Sequence, residues 1–335
     1  MRDIKISLVG YGIVGHGVVD VLNRKRKILR DMGLNLKLIS ATDHTGTVVS
    51  EDGINADKIL GERTLEKVAT SSMKGKEAIA AIDSDLVIEV TPTNIVHGQP
   101  GLGHMETALS AGKHVVTSNK GPLVVDYSRL KKLAEDNGVM LKFEATVGGT
   151  MPLISLVERT LVGNNIQCIR GIFNGTCNYI LTRMVEENIP YAHALSEAQD
   201  LGIAEADPSY DVEGVDTAGK VVILANSLFD MNIKYSDVDV TGITGITPEA
   251  LALAKKRGYV IKLVGDVPAL TVRPTLVPIG SPIAVSGTLN SAAIYTDLSG
   301  TITVTGLGAG SIETASAILS DIISIYRTKR IDAIF

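Results

Sequence analysis

Ile4-Lys5-Ile6-Ser7-Leu8-Val9-Gly10-Tyr11-Gly12-Ile13-Val14-Gly15 decides how this chain folds. The run up to Val9 is short and mainly apolar, the pattern of a strand buried on both faces of a parallel sheet. Three glycines then follow in the order G-x-G-x-x-G, before a helical stretch over residues 14–31 with Val18, Val19 and Leu22 on one side. The first glycine permits a tight turn, the second lets a pyrophosphate approach the backbone, and the third allows close helix packing. Backbone N–H groups at the helix start then face the phosphates. Glycine-rich turns are common, so the hexad alone carries little. Placed between a strand and a helix, it points to a dinucleotide-binding fold, with Gly10, Gly12, Ile13, Val14 and Gly15 as the expected contacts.

The same alternation continues. Strands are expected over residues 36–41, 85–90, 114–117 and 140–144, with helices over 104–110 and 125–137. This rhythm predicts an α/β fold that opens with a Rossmann-type doubly wound parallel sheet. After residue 144 the rhythm changes to strands over 166–173, 273–277 and 290–297, interleaved with helices over 152–161, 179–186 and 216–225. That is a second, α+β domain. An amphipathic helix over 313–326 closes the pattern.

Bulk properties agree with two domains, since 335 residues exceed one ordinary core. With 4 Phe, 9 Tyr and no Trp the core must be aliphatic, and stacking platforms for single-stranded nucleic acid are not expected. A formal charge of -5 argues against nucleic acid and anionic membrane as partners. Cys168 and Cys177 make neither a disulfide framework nor a Cys-x-x-Cys metal site, which fits a reducing cytoplasm. No uninterrupted apolar stretch reaches transmembrane length. The six histidines show no metal-ligand spacing.

Asp43, just past the second strand, either accepts ribose hydroxyls or caps the following turn. In the first case it favours NAD over NADP; Lys58 or Arg63 would serve a 2′-phosphate. Thr91-Pro92 and Ser118-Asn119-Lys120 both follow strands, at the edge where such sheets bind ligands. Lys120 is an ordinary loop lysine by default, or else a group that orients substrate beside the cofactor. The densest chemistry lies between Glu205 and Lys220, where Glu205, Asp207, Asp211, Glu213 and Asp216 precede one lysine. Asp216 and Lys220 stand four apart and share a helix face. A surface salt bridge is the commonest fate of such a pair. The crowd of carboxylates favours a cradle for a substrate ammonium beside an acid/base lysine. Cys177 reads better as a small buried residue than as a nucleophile.

Taken together, these residues resemble homoserine dehydrogenase. The marks are Thr117-Ser118-Asn119-Lys120-Gly121-Pro122, Glu144-Ala145-Thr146-Val147-Gly148-Gly149-Thr150-Met151-Pro152, Gly171-Ile172-Phe173-Asn174-Gly175-Thr176-Cys177-Asn178-Tyr179 and the acidic stretch ending at Lys220. The resemblance implies interconversion of L-aspartate 4-semialdehyde and L-homoserine with NAD or NADP, in the threonine, methionine and isoleucine branch of amino-acid biosynthesis. It implies Lys220 as proton donor, with Asp216 and Lys120 as its catalytic partners, and Glu205, Asp216, Asp211, Thr176 and Tyr179 as substrate contacts. It adds Gly202 and Gly310 to the cofactor contacts Thr91, Pro92, Ser118 and Lys120. It implies a structural sodium ion on Glu144 with main-chain carbonyls of Val147, Gly149 and Met151. Domains over 1–143 with 310–335, and over 144–309 for substrate and dimerisation, follow from it, as does a cytoplasmic homodimer. Cys177 stands where the family usually has threonine, and Glu313 where proline commonly opens the last helix. The chain stops too early for the C-terminal regulatory domain of many relatives, so threonine feedback through such a domain is not expected. Two other readings stand beside this one: another amino-acid or aldehyde dehydrogenase on the same frame, and a nucleotide sensor without turnover.

Overall fold

The computed structural model describes residues 2–327. Two compact units divide the chain: one runs to Thr146 and resumes at Gly310, the other is Val147–Ala309. Residues 328–335, expected in the first domain, lie outside the described residues.

In the first unit, strands β1 (Arg2–Val9), β2 (Leu34–Thr42), β3 (Thr47–Val49), β4 (Leu86–Glu89), β5 (His114–Thr117) and β6 (Leu141–Lys142) form one sheet in the order β3-β2-β1-β4-β5-β6. β2, β1, β4, β5 and β6 run parallel, and β3 folds back antiparallel on the β2 edge. Ile4, Ile6 and Leu8 of β1 and Leu86 and Ile88 of β4 are fully buried, as strands covered on both faces require. The helices Ile13–Asp31 and Ser311–Arg327 contribute Val18, Val19, Ala315, Ile318 and Ile322 to the same core as β1. Gly17 makes their close crossing possible, because a Cβ there would stand 2.4 Å from the Ser311 carbonyl oxygen. The chain leaves β1 toward β2 and returns to β4 on the other side, so the sheet's switch point lies at the carboxyl ends of β1 and β4.

Two local expectations need adjusting. The helix after β5 starts at Lys120 and runs to Asp136, with a break at Asp126 (φ -156°, ψ 59°). The strand expected over 140–144 is shorter, and Glu144–Thr146 turns as a tight 3₁₀ helix instead. The Glu144 N–H donates to Asp321 Oδ2 at 2.9 Å, which ties this turn to the last helix and keeps it with the first unit.

In the second unit, β7 (Ile166–Ile172), β8 (Asp239–Val240), β9 (Tyr259–Val267), β10 (Thr271–Pro278), β11 (Leu289–Thr296) and β12 (Thr301–Leu307) form a mixed sheet in the order β12-β11-β7-β9-β10-β8. All neighbours are antiparallel except β8 with β10. β9 and β12 were not expected: Lys262, Gly265 and Asp266 interrupt the apolar pattern of the first, and the second is half-exposed along most of its length. The helix expected over 152–161 is Leu153–Ser155, which widens into a π-turn over Leu156–Thr160, with Leu161 N–H donating to the Leu156 carbonyl. Among the described residues no helix is long and apolar enough to cross a membrane.

Candidate active site

In the glycine turn of the first unit, Gly10 and Gly15 have the tight-turn and close-packing roles their spacing predicts. Gly10 adopts φ +106°, and a Cβ there would meet the Val90 carbonyl carbon at 2.6 Å. Gly15 packs so closely that a Cβ would lie 2.3 Å from the Gly10 carbonyl oxygen. Gly12 is different: a Cβ there would meet nothing within 4 Å. It stands at the N-cap of Ile13–Asp31 without a side-chain cap, and that helix has no acidic residue in its first turn. An open backbone at a helix N-terminus, free of competing carboxylates, fits the pyrophosphate of a dinucleotide. Ile13 beside it is 79% exposed.

Asp43 follows β2, and the turn-capping alternative is the one observed. Its Oδ1 accepts from Thr45 N, Thr45 Oγ1 and Gly46 N, and its Oδ2 from Leu65 N at 2.8 Å. Those bonds hold its carboxyl below the usual range against partial burial. A ribose would have only Oδ2 to draw on.

Thr91-Pro92 and Ser118-Asn119-Lys120 sit at the ends of β4 and β5 over a buried polar network. Glu89, fully buried, accepts from the Thr91 N–H at 3.2 Å and from the Thr91 hydroxyl, with His104 Nδ1 at 3.3 Å. Asn119 Nδ2 donates to Thr91 Oγ1 at 3.3 Å, while its Oδ1 accepts from Gly121 N and caps the helix that Lys120 begins. Neither Glu89 nor Asn119 was expected to act. Glu89 reads as one more residue of its strand, and its burial is a tertiary fact.

In the second unit the helix Val215–Leu228 carries Asp216 and Lys220 into the interior, where they are 4% and 6% exposed. Lys220 Nζ donates to Asp216 Oδ2 at 2.6 Å and to the Phe173 carbonyl oxygen at 2.5 Å. This is no surface salt bridge: both groups are desolvated, and such a pair persists only with good geometry and further hydrogen bonds. Asn174, next to Phe173, supplies those bonds, donating from Nδ2 to Asp216 Oδ2 at 3.0 Å and to Asp211 Oδ1 at 2.6 Å. Burial, then the neighbouring Asp216, raises the Asp211 carboxyl above its usual range. Thr176 stands two residues on, its hydroxyl donating to the Ile203 carbonyl at 3.1 Å. Cys177 is fully buried; desolvation, with Asp211 and Asp216 beside it, raises its thiol well above the usual range. It remains a thiol that donates to the Asp211 carbonyl at 3.1 Å.

The acidic stretch therefore separates. Asp211 and Asp216 join Lys220 within the unit, whereas Glu205, Asp207 and Glu213 are exposed. Tyr179 is occupied elsewhere, donating to Glu197 Oε1 at 2.6 Å beside Arg183. Gly202 (φ +70°) ends the helix Tyr191–Asp200, with its N–H on the Gln199 carbonyl. Gly310 (φ +133°) stands where the chain re-enters the first unit. Of the expected cation ligands, Glu144 belongs to the first unit and Val147, Gly149 and Met151 to the second; all four are buried. Their oxygens are the hard donors a sodium ion takes.

Comparison with known proteins finds matches along nearly all of the chain. Residues 10–144 match the homoserine dehydrogenase NAD binding domain, and residues 152–323 match the homoserine dehydrogenase family. A homoserine dehydrogenase of Methanocaldococcus jannaschii is 48% identical over 97% of this chain and 99% of its own. An NAD(+)-dependent homoserine dehydrogenase of Pseudomonas canavaninivorans is 36% identical over 98% and 97%. The crystal structure of a putative homoserine dehydrogenase from Archaeoglobus fulgidus superposes with a TM-score of 0.90 at 47% identity, covering 96% of this chain and 99% of that one. A hyperthermophilic archaeal homoserine dehydrogenase mutant in complex with NADPH superposes with a TM-score of 0.85 at 28% identity, covering 98% of each.

Proposed function

Since this chain belongs to the homoserine dehydrogenase family, and so interconverts L-aspartate 4-semialdehyde and L-homoserine with NAD or NADP in amino-acid biosynthesis, we propose that Lys220 is its proton donor and acceptor. When bound, the nicotinamide supplies or receives the hydride. In the reductive direction the Lys220 ammonium gives a proton to the aldehyde oxygen; in the oxidative direction the amine takes the hydroxyl proton. The observation that carries this is the buried ammonium held between the Phe173 carbonyl and Asp216. Two acceptors fix the orientation of the lysine head, as a group that moves a proton in a set geometry requires.

Around it, Asp211 and Glu205 receive the substrate ammonium, with Thr176 and Tyr179 as further contacts and Asp216 orienting the lysine. Lys120 orients the substrate toward the cofactor and steadies the developing alkoxide. Gly10, Gly12, Ile13, Val14, Gly15, Thr91, Pro92, Ser118, Gly202 and Gly310 hold the dinucleotide, with Asp43 reaching the ribose through Oδ2. A sodium ion on Glu144, Val147, Gly149 and Met151 is structural. The enzyme works as a cytoplasmic homodimer on the threonine and methionine branch; its two free cysteines suit a reducing compartment.

The test is homoserine-dependent reduction of NAD and of NADP by the wild type and by Lys220→Ala. The variant should lose about 10²–10⁴-fold in kcat while still binding cofactor. Near-normal turnover would end the assignment.

A further inference from the structure

We propose that Asn174 is a positioning residue for proton transfer, its amide joining Asp211 and Asp216 into one fixed acceptor against which Lys220 is aligned. This rests on the assignment of Lys220 above. Asn174 is 5% exposed at the junction of β7 with the helix Gly175–Glu187. Its orientation is set by its partners, because Oδ1 accepts the Cys177 N–H at 2.8 Å and only an NH₂ group can face two carboxylates. Capping needs no more than the oxygen, a task that serine or aspartate performs as well. The donor end is surplus to capping, and both of its hydrogens go to the acidic pair.

Two neighbouring carboxylates repel, and without a bridge one of them holds a proton more tightly. Asn174 opposes that effect at Asp211 together with the Lys220 charge. The charged and titratable groups beside the pair include Lys220 from the same helix as Asp216 and Cys177 from Gly175–Glu187, and Glu213, just before the first of these helices, acts in turn on Cys177. The Tyr191 hydroxyl faces Cys177 and Glu213 in turn. Phe173, the preceding residue, gives Lys220 its carbonyl. One turn of backbone thus fixes the lysine from one side and its counter-ion from the other, a network whose members depend on each other.

Asn174→Asp keeps an oxygen for the Cys177 N–H, removes both donated bonds and adds a like charge. Its Kd for NADH or NADPH should stay near the wild-type value, while its thermal midpoint falls, because a third buried carboxylate then faces the pair. Turnover with homoserine should fall by at least about tenfold at neutral pH, and the acidic limb of the kcat profile should move up by about one pH unit or more. An acidic limb that stays in place overturns the inference, whether or not turnover falls, because a merely structural loss does not move it. Asn174→Ser keeps the cap oxygen and one donor without adding charge, and its limb should lie between the other two. Should the aspartate variant fail to fold, a wild-type limb in the serine variant overturns the inference by itself. Lys220→Ala runs alongside. If that variant is inactive and Asn174→Asp keeps the wild-type limb, only the present inference falls. If Lys220→Ala turns over, the lysine assignment falls and this one with it.

Discussion

Gly12→Ala separates cofactor binding from folding more cleanly than any other change in the glycine turn. A Cβ at Gly12 meets no protein atom within 4 Å, and the residue's φ of -91° suits any side chain. Alanine is a poorer N-cap than glycine by some tenths of a kcal/mol or more. It also restricts the unfolded chain, which returns about 0.4–1 kcal/mol. The two nearly cancel, so stability should barely change. The methyl group does, however, fill the space through which a pyrophosphate would reach the helix N-terminus. Losing one backbone N–H bond to a charged acceptor costs about 1.5–3 kcal/mol. That weakens NADH or NADPH by about tenfold to a hundredfold. Gly15→Ala is the control with the opposite signature. Its Cβ would stand 2.3 Å from the Gly10 carbonyl oxygen, a backbone clash that no rotamer relieves. Overpacking of that kind costs about 1–3 kcal/mol. Titration calorimetry with each cofactor, beside thermal melts of both variants, reads the two effects apart. Cofactor affinity unchanged in Gly12→Ala, or a melt as depressed as that of Gly15→Ala, would refute the reasoning.

Two further predictions concern the second unit. Lys262 is 4% exposed in β9, donating to Asn178 Oδ1 at 2.6 Å and Thr182 Oγ1 at 3.3 Å, and burial lowers its amine from 10.5 to about 8. Between those two values the unfolded chain binds the proton and the folded chain does not, so stability should rise with pH across that window, by about 3 kcal/mol at most. Urea midpoints measured through the window should climb in the wild type and lose that climb in Lys262→Met; parallel curves would disprove it. Cys177→Ser keeps a donor for the Asp211 carbonyl, so kcat should stay within about a factor of three of wild type. A collapse of turnover, with folding intact, would make the thiol a participant.

How far the sequence could be read depended on whether a feature was local. The first unit was legible because β1, the glycine turn and the next helix are continuous in the chain, and β1, β4 and β5 each carry a short, mainly apolar stretch. β9 was not, because Lys262 in mid-strand is satisfied by Asn178 and Thr182, which stand 84 and 80 residues away. The Asp216–Lys220 pair followed from its spacing of four, but the amide that completes it comes from Asn174, 42 residues earlier. Asp43 shows the converse. Its place after β2 left a ribose contact and a turn cap both open, and Thr45 and Gly46, two and three residues on, were the local signal of the turn.

One signal for burial at Lys220 was present in the sequence and was outweighed by the acidic crowd. Between Val215 and Ala225 the only charged residues are Asp216 and Lys220, and the others are apolar or small on every side. A helix apolar all round is buried, and its charges must then pair inside. This bears on the Lys220→Ala test. Removing one partner of a buried pair is strongly destabilising, by about 3–5 kcal/mol, because the other charge is left behind. Here Asp216 would keep the Asn174 amide, which reduces the loss without abolishing it. Adding Asp216→Asn to Lys220→Ala removes the stranded charge, so the double variant should melt above the single one. If Lys220 moves the proton, turnover must not return with stability. Melting curves and initial rates on the two proteins decide it: stability recovered with activity still absent assigns the loss to chemistry, and recovery of both would show that Lys220→Ala had failed only as a folding variant.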